Sequence, residues 1–220
     1  MLTKTQNNVM SYTLAAVFFL AAHAHFGHPA VSVTANNLAD QAHVAGASLA
    51  RVLWVLHFAR RAIESAFLEK HSAQKVSLAD SCGEFVYYWG FSAWIAYSLS
   101  TSQQLLSSPL PISMSCCGWI AAELTNFYAH MTLSRTCAKD GRRVVPDSRL
   151  FSVVCCPHYL AEALSWIFFS LCCPTVGSVV FASLGTVVML SYALERHRKY
   201  AASDPAFSKS GRKAMIPFIL

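Results

Sequence analysis

Residues 53–68 read LWVLHFARRAIESAFL, an apolar run that contains ionisable side chains at regular intervals. Those at i, i+3, i+4 and i+7 are His57, Arg60, Arg61 and Glu64. An α-helix places this spacing on one face, where Arg60 and Glu64 can form an ion pair. Lipid cannot satisfy charged groups, so such a face must turn toward other helices or a wet cavity. The stretch therefore predicts a helix with a buried polar face.

The composition places this helix in a membrane protein. Hydrophobic residues make up 55% of the 220 residues, and the mean hydropathy is +0.40. Charged residues make up 13%, against about a quarter in soluble domains. A soluble domain of this length could not bury so many apolar side chains. We therefore predict an all-α membrane protein rather than a soluble, disordered or disulfide-stapled chain.

Six apolar segments are long enough to be predicted membrane spans. They cover residues 10–26, 45–68, 84–106, 111–134, 150–172 and 174–194. Pro109, Pro111 and Pro174 interrupt the chain between later segments. The pattern predicts one bundle of about six transmembrane helices. We divide the chain into an N-terminal segment with the first span, residues 1–44, and a membrane domain, residues 45–220.

The basic residues indicate the orientation of this bundle. The formal net charge is +6, and 14 of the 17 Lys and Arg residues fall at the N-terminus or in the connections after the second, fourth and sixth segments. The intervening connections contain none. The positive-inside rule then places both termini in the cytosol. This explanation of the charge requires no nucleic acid, and it leaves a basic cytosolic face that can hold phosphates.

Three later segments carry polar stripes at helical spacing. Their members are Glu123, Asn126 and His130 in the fourth segment, His158, Tyr159, Glu162 and Ser165 in the fifth, and Arg196, His197 and Tyr200 in the sixth. We expect the four stripes to surround one cavity that suits a phosphate-bearing anion and a lipid-like partner. The alternative is a polar network that only packs helices together, with basic residues snorkelling to the interface.

Cysteine and histidine clusters do not predict a metal site. Six of the eight Cys residues form adjacent pairs, and no C-x-x-C spacing is present. We interpret them as small apolar helix residues, with palmitoylation near a helix end as the alternative. His23, His25 and His28 could bind a metal, but we interpret them as interfacial residues at a helix end.

Several motifs resemble those of the trans-2-enoyl-CoA reductases and steroid 5-alpha-reductases. The segment VVCCPHYLAEALSWIFFSL, residues 153–171, is similar to their C-P-N-Y-x-x-E-x-x-x-W element. The end, HRKY at 197–200 followed by SKSGRKAMIPFIL, resembles their C-terminal signature. Residues 55–72, VYYWGFSAWIAY at 86–97 and ELTNFYAHMTLS at 123–134 resemble the enoyl reductases more closely. The resemblance covers residues 50–220 in order and favours the very-long-chain enoyl-CoA reductase branch.

The resemblance implies an oxidoreductase of the endoplasmic-reticulum membrane that binds NADPH from the cytosol. The implied reaction reduces the C2–C3 double bond of a trans-2-enoyl-CoA thioester in very-long-chain fatty-acid elongation, with hydride to C3 and a proton to C2. Membrane lipid and other elongation enzymes are the implied partners. A steroid or polyprenol reductase of the same fold, and a non-catalytic scaffold of the elongase complex, remain alternatives.

The same resemblance assigns roles to individual residues. Tyr159 and Glu162 match the catalytic positions of the family. The implied cofactor contacts are Asn126, His130, Arg142, Arg143, His158, His197, Arg198 and Tyr200. Arg142 and Arg143 lie in a basic connection, where guanidinium groups suit a 2′-phosphate or serve only as a topology signal.

The sequence also departs from the family pattern at three places. His158 replaces the usual Asn beside the tyrosine. Residues 133–137 read LSRTC where the family carries two arginines. The first span reads NNVMSYTL at 7–14, without the acid of the family's T-E-Y-x-G-P element, and the N-terminal ubiquitin-like domain of the animal enzymes has no counterpart.

Overall fold

The described regions of the structure, a computed structural model, are residues 1–26, 38–69, 75–101, 110–136 and 144–219, with side chains omitted for 38–45. Regular elements in these ranges are all helical, as predicted. The helices are α1 (Lys4–Phe26), α2 (Leu38–Ile63), α3 (Leu78–Ser100), α4 (Ile112–Thr136), α5 (Pro157–Cys172), α6 (Val176–Ser203) and α7 (Pro205–Lys209). A π-helical turn, Glu64–Leu68, continues α2.

Each of the six long helices overlaps one of the six predicted segments, with ends that differ by up to nine residues. The helix α5 begins seven residues later than predicted. Residues 153–156 pair instead with the C-terminal segment. The backbone N–H of Cys155 donates to the carbonyl of Lys213 at 2.8 Å, and that of Cys156 donates to Ala214 at 3.1 Å. Pro157 then occupies the first turn of α5, where its missing N–H costs no helical hydrogen bond.

Polar side chains fix the starts of the later helices. Ser77 caps α3 by accepting a hydrogen bond from the Asp80 N–H at 3.0 Å. Thr175 and Ser178 form a reciprocal capping box at the start of α6. Asp204 caps α7 with its side chain, which accepts hydrogen bonds from backbone N–H groups of the first turn. These local signals explain why the chain turns sharply after α5 and after α6.

Within the part of the chain that the structure describes, two helices, α1 and α6, are long and apolar enough to cross a membrane. They have 23 and 28 residues with best-window hydropathies of 1.4 and 1.8, and a span needs about 20 residues. With 16 residues, α5 is shorter than an ordinary span. The structure therefore supports two of the six predicted spans by length and composition.

An aromatic cluster around Trp54 holds the bundle together. The Trp54 side chain is fully buried, and neighbouring ring centroids lie 5.0–5.3 Å from its own. The rings belong to Phe19 of α1, Phe58 of α2, Trp166 and Phe169 of α5, and Phe181 of α6. One side chain thus joins four helices and fixes their separation.

A second cluster seats the C-terminus against the end of α6. The ring of Phe207 lies 5.5 Å from that of Tyr200 and 5.3 Å from that of His197. The His197 Nε2 donates to the carbonyl of Arg212 at 2.9 Å, and Arg212 donates to the carbonyl of Pro146 at 3.1 Å. These contacts form the C-terminal clasp, residues 145–156 and 204–219.

We expect Trp54→Ala to destabilise the protein by about 3–5 kcal/mol, because it leaves a cavity among five aromatic rings. Thermal unfolding of the purified protein in detergent measures the loss. Trp54→Phe, which retains a ring, should lose clearly less. Equal unfolding temperatures for wild type and Trp54→Ala would contradict the central position of this ring.

Candidate functional site

A buried ionic network connects α2, α4 and α5. His57, buried among these helices, places its Nδ1 2.8 Å from a carboxylate oxygen of Glu123 and its Nε2 3.6 Å from one of Glu162. Arg60 donates through Nε to the second oxygen of Glu123 at 2.8 Å and pairs with Glu64 along the helix, as predicted. Three of the predicted polar stripes therefore face one another.

The guanidinium of Arg61 balances carboxylates from three segments. It pairs with Glu64, donates to Glu69 at 2.8 Å, and places its Nε 3.8 Å from Glu162. The π-helical turn brings Glu64 onto this side and is followed by Glu69 in extended conformation. His130 Nδ1 lies 3.0 Å from the same carboxylate of Glu69. Buried carboxylates are stable only with such partners.

Asn126 joins α4 to the start of α5. Its amide group donates to the carbonyl of His158 at 2.8 Å and to a carboxylate oxygen of Glu162 at 3.1 Å. The side chain is fully buried. Its Oδ1 has no hydrogen-bond partner among the described residues.

A cavity of about 950 Å³ lies beside this network. Tyr159 and Glu162, the predicted catalytic residues, both line it. His130 and His158 from the predicted cofactor set line it as well. Asn126 lies behind the wall and reaches the cavity only through its two α5 partners.

The cavity has an apolar wall and a charged wall. The apolar wall includes Tyr87, Trp166, Phe181, Gly185, Val188 and Met189. The charged wall includes Lys4, Asp80, Glu84, Glu195, Arg196 and Lys199. A cavity of this composition suits an amphipathic ligand.

Glu84 of α3 was missed by sequence reasoning. Its carboxylate accepts hydrogen bonds from Asn7 Nδ2 at 2.8 Å and Ser11 Oγ at 2.9 Å, and it pairs with Lys4 at 3.2 Å. The first span lacks an acid of its own, and α3 supplies one against it. The signal available in the sequence was the position of Glu84 four residues before Tyr88, which places both side chains on one face of a helix.

The expectation that all four polar stripes surround the cavity is wrong. Arg61 is the one member of the α2 stripe that lines it, and His130 the one member of the α4 stripe. The α6 stripe is divided between two sites. Arg196 and Lys199 line the cavity. His197 and Tyr200 pack into the C-terminal clasp, and Arg198 is exposed. Successive helical residues point about 100° apart, so Arg196 and His197 face different sides of α6. Arg142 and Arg143 lie outside the described residues.

Glu64, Glu69 and His130 bring their ligand atoms within 4.8 Å of one another, a spacing that a metal ion could bridge. Arg61 contacts both carboxylates and already supplies positive charge there.

Elsewhere, His23 lies 3.2 Å from the Ser100 hydroxyl, and His28 lies outside the described residues. The Cys155 and Cys156 sulfurs are 3.6 Å apart, and this hydrogen bond lowers the pKa of the Cys155 thiol.

The fold and the site define an all-helical protein with an amphipathic cavity closed on one side by buried ion pairs. A family model described as 3-oxo-5-alpha-steroid 4-dehydrogenase matches residues 74–220. The chain therefore belongs to the 3-oxo-5-alpha-steroid 4-dehydrogenase family. The match includes the cavity residues of α3 to α6 and the C-terminal clasp.

Three relatives are named as enoyl-CoA reductases. One from Trypanosoma brucei brucei, whose name is provisional, is 37% identical over 171 residues, 76% of this chain and 57% of its own. The probable very-long-chain enoyl-CoA reductase art-1 of Caenorhabditis elegans is 30% identical over 218 residues, 93% and 66%. The very-long-chain enoyl-CoA reductase of Dictyostelium discoideum is 32% identical over 176 residues, 78% and 58%. The chain thus spans 57–66% of the length of these relatives.

We expect Arg61→Met to destabilise the protein by about 3–5 kcal/mol, because it leaves three carboxylates without their shared countercharge. Thermal unfolding in detergent measures the effect. Lys199→Met removes one positive charge from an exposed pair with Glu195 and should leave the unfolding temperature nearly unchanged. Equal losses for the two variants would contradict a central role for Arg61.

Proposed function

We propose that the protein is an NADPH-dependent oxidoreductase that reduces the C2–C3 double bond of a trans-2-enoyl-CoA. The observation that carries this proposal is the position of Tyr159 and Glu162 on one cavity that has both an apolar and a charged wall. The relatives named as enoyl-CoA reductases support the same substrate class. A cavity with an apolar wall suits an acyl chain, whereas a scaffold requires no such space.

The residues present fit a phosphate-bearing nicotinamide cofactor. Lys4, Arg196 and Lys199 line one part of the cavity, and Arg198 is exposed next to them. We propose that these side chains receive the phosphates, with Arg142 and Arg143 from the connection after α4. The family resemblance adds His130 and His158, which line the cavity, to the proposed cofactor set, with Asn126 supporting the wall from behind. His197 and Tyr200, which the resemblance also implies, pack against the C-terminal clasp instead. Bound NADPH supplies the hydride that reaches C3.

The proposed role of Tyr159 follows from its position in the first turn of α5. Its hydroxyl can donate a hydrogen bond to the thioester oxygen, which gains negative charge when C3 accepts hydride. The N-terminal end of α5 carries partial positive charge and favours the same anion. Proton transfer to C2 then completes the reduction.

The proposed role of Glu162 is to fix the wall on which Tyr159 acts. Its carboxylate oxygens are shared among His57, Arg61 and Asn126, which come from α2 and α4. An ionised carboxylate accepts hydrogen bonds and donates none. Glu162 therefore orients the reacting groups and sets the local field, while Tyr159 supplies the donor.

The proposed setting is the endoplasmic-reticulum membrane. The helices between the two candidate spans, α1 and α6, carry the polar faces that close the site. We propose that all six long helices span the bilayer, with both termini in the cytosol. The positive-inside pattern of the connections supports this orientation. Fatty-acid elongation, with an acyl-CoA substrate and other elongation enzymes as partners, is the proposed pathway context.

We expect Tyr159→Phe to lower kcat with a long-chain trans-2-enoyl-CoA by about 10²–10⁴-fold, because the donor to the developing anion is lost. NADPH oxidation by the purified protein in detergent, with the saturated acyl-CoA identified by mass spectrometry, measures the effect. Tyr128→Phe removes the same group from the exposed face of α4 and should leave the rate unchanged.

Three results would overturn the enoyl-CoA assignment. The first is NADPH oxidation with a 3-oxo-Δ4-steroid but with no enoyl-CoA, which would assign the chain to the steroid branch. The second is no NADPH binding and no turnover by the wild type, which would favour a scaffold. The third is an equal rate for Tyr159→Phe and wild type.

We expect Arg196→Met to raise the KM for NADPH by about tenfold or more, because a charge-assisted phosphate contact is lost. The measurement is initial rate against NADPH concentration at saturating enoyl-CoA. Arg149→Met removes an exposed positive charge outside the cavity and serves as the matched control. Equal KM values for the two variants would contradict the assignment of Arg196 to the cofactor.

A further inference from the structure

Gly185 of α6 and Tyr87 of α3 meet at the apolar wall of the cavity. Tyr87 donates its hydroxyl hydrogen to the carbonyl of Phe181 at 2.9 Å. This carbonyl lies one helical turn before Gly185, so the hydroxyl rests against the glycine. A Cβ placed at residue 185 would lie only 2.7 Å from the Tyr87 oxygen. Tyr87 occupies its present position only because residue 185 has no side chain.

The Tyr87 ring is enclosed on its other sides. Its centroid lies 5.2 Å from that of Tyr88, 5.2 Å from that of Phe91 and 4.9 Å from that of Phe181. Tyr87 also lines the cavity, which therefore offers space next to the ring. A ring displaced from Gly185 therefore moves into the cavity and narrows it.

The surroundings of this contact identify which part of the ligand it meets. Phe181, Val188 and Met189 extend the same wall along α6. Adjacent α6 side chains are apolar and exposed, with Leu184 49% and Val187 65% exposed. The Lys and Arg residues that line the cavity lie on α1, on α2 and on a later part of α6. Hydrocarbon, and not a phosphate, is the chemistry that this wall accepts.

We propose that Gly185 and Tyr87 form a gate that determines the acyl-chain length the enzyme accepts. This inference rests on the proposed function and assigns the acyl chain to the space between α3 and α6. The Gly185–Tyr87 contact holds the ring against α6 and keeps the apolar wall open for a long chain. Gly185 and Tyr87 are thus specificity determinants and take no part in the chemistry.

A double-mutant cycle tests the gate. Gly185→Ala forces the Tyr87 hydroxyl away, whereas Tyr87→Phe removes that hydroxyl. With the hydroxyl gone, the nearest ring atom to the new Cβ is Tyr87 Cζ at 3.9 Å, an ordinary contact. The double variant therefore accommodates the methyl group without moving the ring, and it serves as the matched control for folding and for the methyl group itself.

The readout is kcat/KM for trans-2-hexadecenoyl-CoA and for crotonyl-CoA, with saturating NADPH. We expect Gly185→Ala to lower the long-chain value by about tenfold or more while the crotonyl value stays within about twofold. Tyr87→Phe alone should change the ratio of the hexadecenoyl-CoA to the crotonyl-CoA kcat/KM by less than about threefold. The ratio for the double variant should also stay within about threefold of the wild-type ratio. Unfolding temperatures accompany each variant.

The gate is overturned if Gly185→Ala lowers both substrates equally, leaves both unchanged, or is not rescued by Tyr87→Phe. If the proposed function is wrong, the result is different, because the wild-type protein then reduces neither thioester. In that case the same four proteins are assayed for binding of palmitoyl-CoA and butyryl-CoA by equilibrium dialysis. Selective loss of palmitoyl-CoA affinity in Gly185→Ala, restored in the double variant, supports the gate, and any other pattern overturns it.

Discussion

The polar centre depends on one interaction, the pairing of Arg61 with three carboxylates. These come from the π-helical turn, from the residue that follows it and from α5. A buried guanidinium or carboxylate is costly unless each has a partner. Here Glu64, Glu69 and Glu162 share one guanidinium, while His57 and Arg60 anchor Glu123 on the opposite side. Satisfying these charges fixes the approach of α2, α4 and α5. The same constraint fixes Glu162 beside Tyr159 on the cavity wall.

The sequence was sufficient to predict those parts of the fold that follow from periodicity. The i, i+3, i+4 and i+7 spacing of residues 57–64 and the matching stripe of α4 predicted faces that the structure brings together. Helix starts were less predictable where long-range pairing intervenes. Residues 153–156 are apolar enough for a helix, yet their backbone pairs with residues 213 and 214. No local sequence pattern predicts that contact.

The candidate site was predicted in part for the same reason. Tyr159, Glu162, His130 and His158 line the cavity, whereas His197 and Tyr200 pack against the C-terminal clasp. A motif such as HRKY groups residues by order along the chain, but a helix distributes adjacent residues over different faces. Glu84 and the Gly185–Tyr87 contact depend on α1, α3 and α6 meeting, which spacing within one helix does not specify. The missing acid of the first span is likewise supplied from another helix.

The most direct test of the central claim is the fate of hydrogen during turnover. Purified protein in detergent is given a long-chain trans-2-enoyl-CoA and NADPH deuterated at the transferable position, and the acyl product is analysed by mass spectrometry and NMR. The account predicts a saturated chain with the cofactor-derived deuterium at C3 and a solvent-derived hydrogen at C2, and strong loss of this product in Tyr159→Phe. An unlabelled or unreduced acyl chain, under conditions where the cofactor binds, would contradict it.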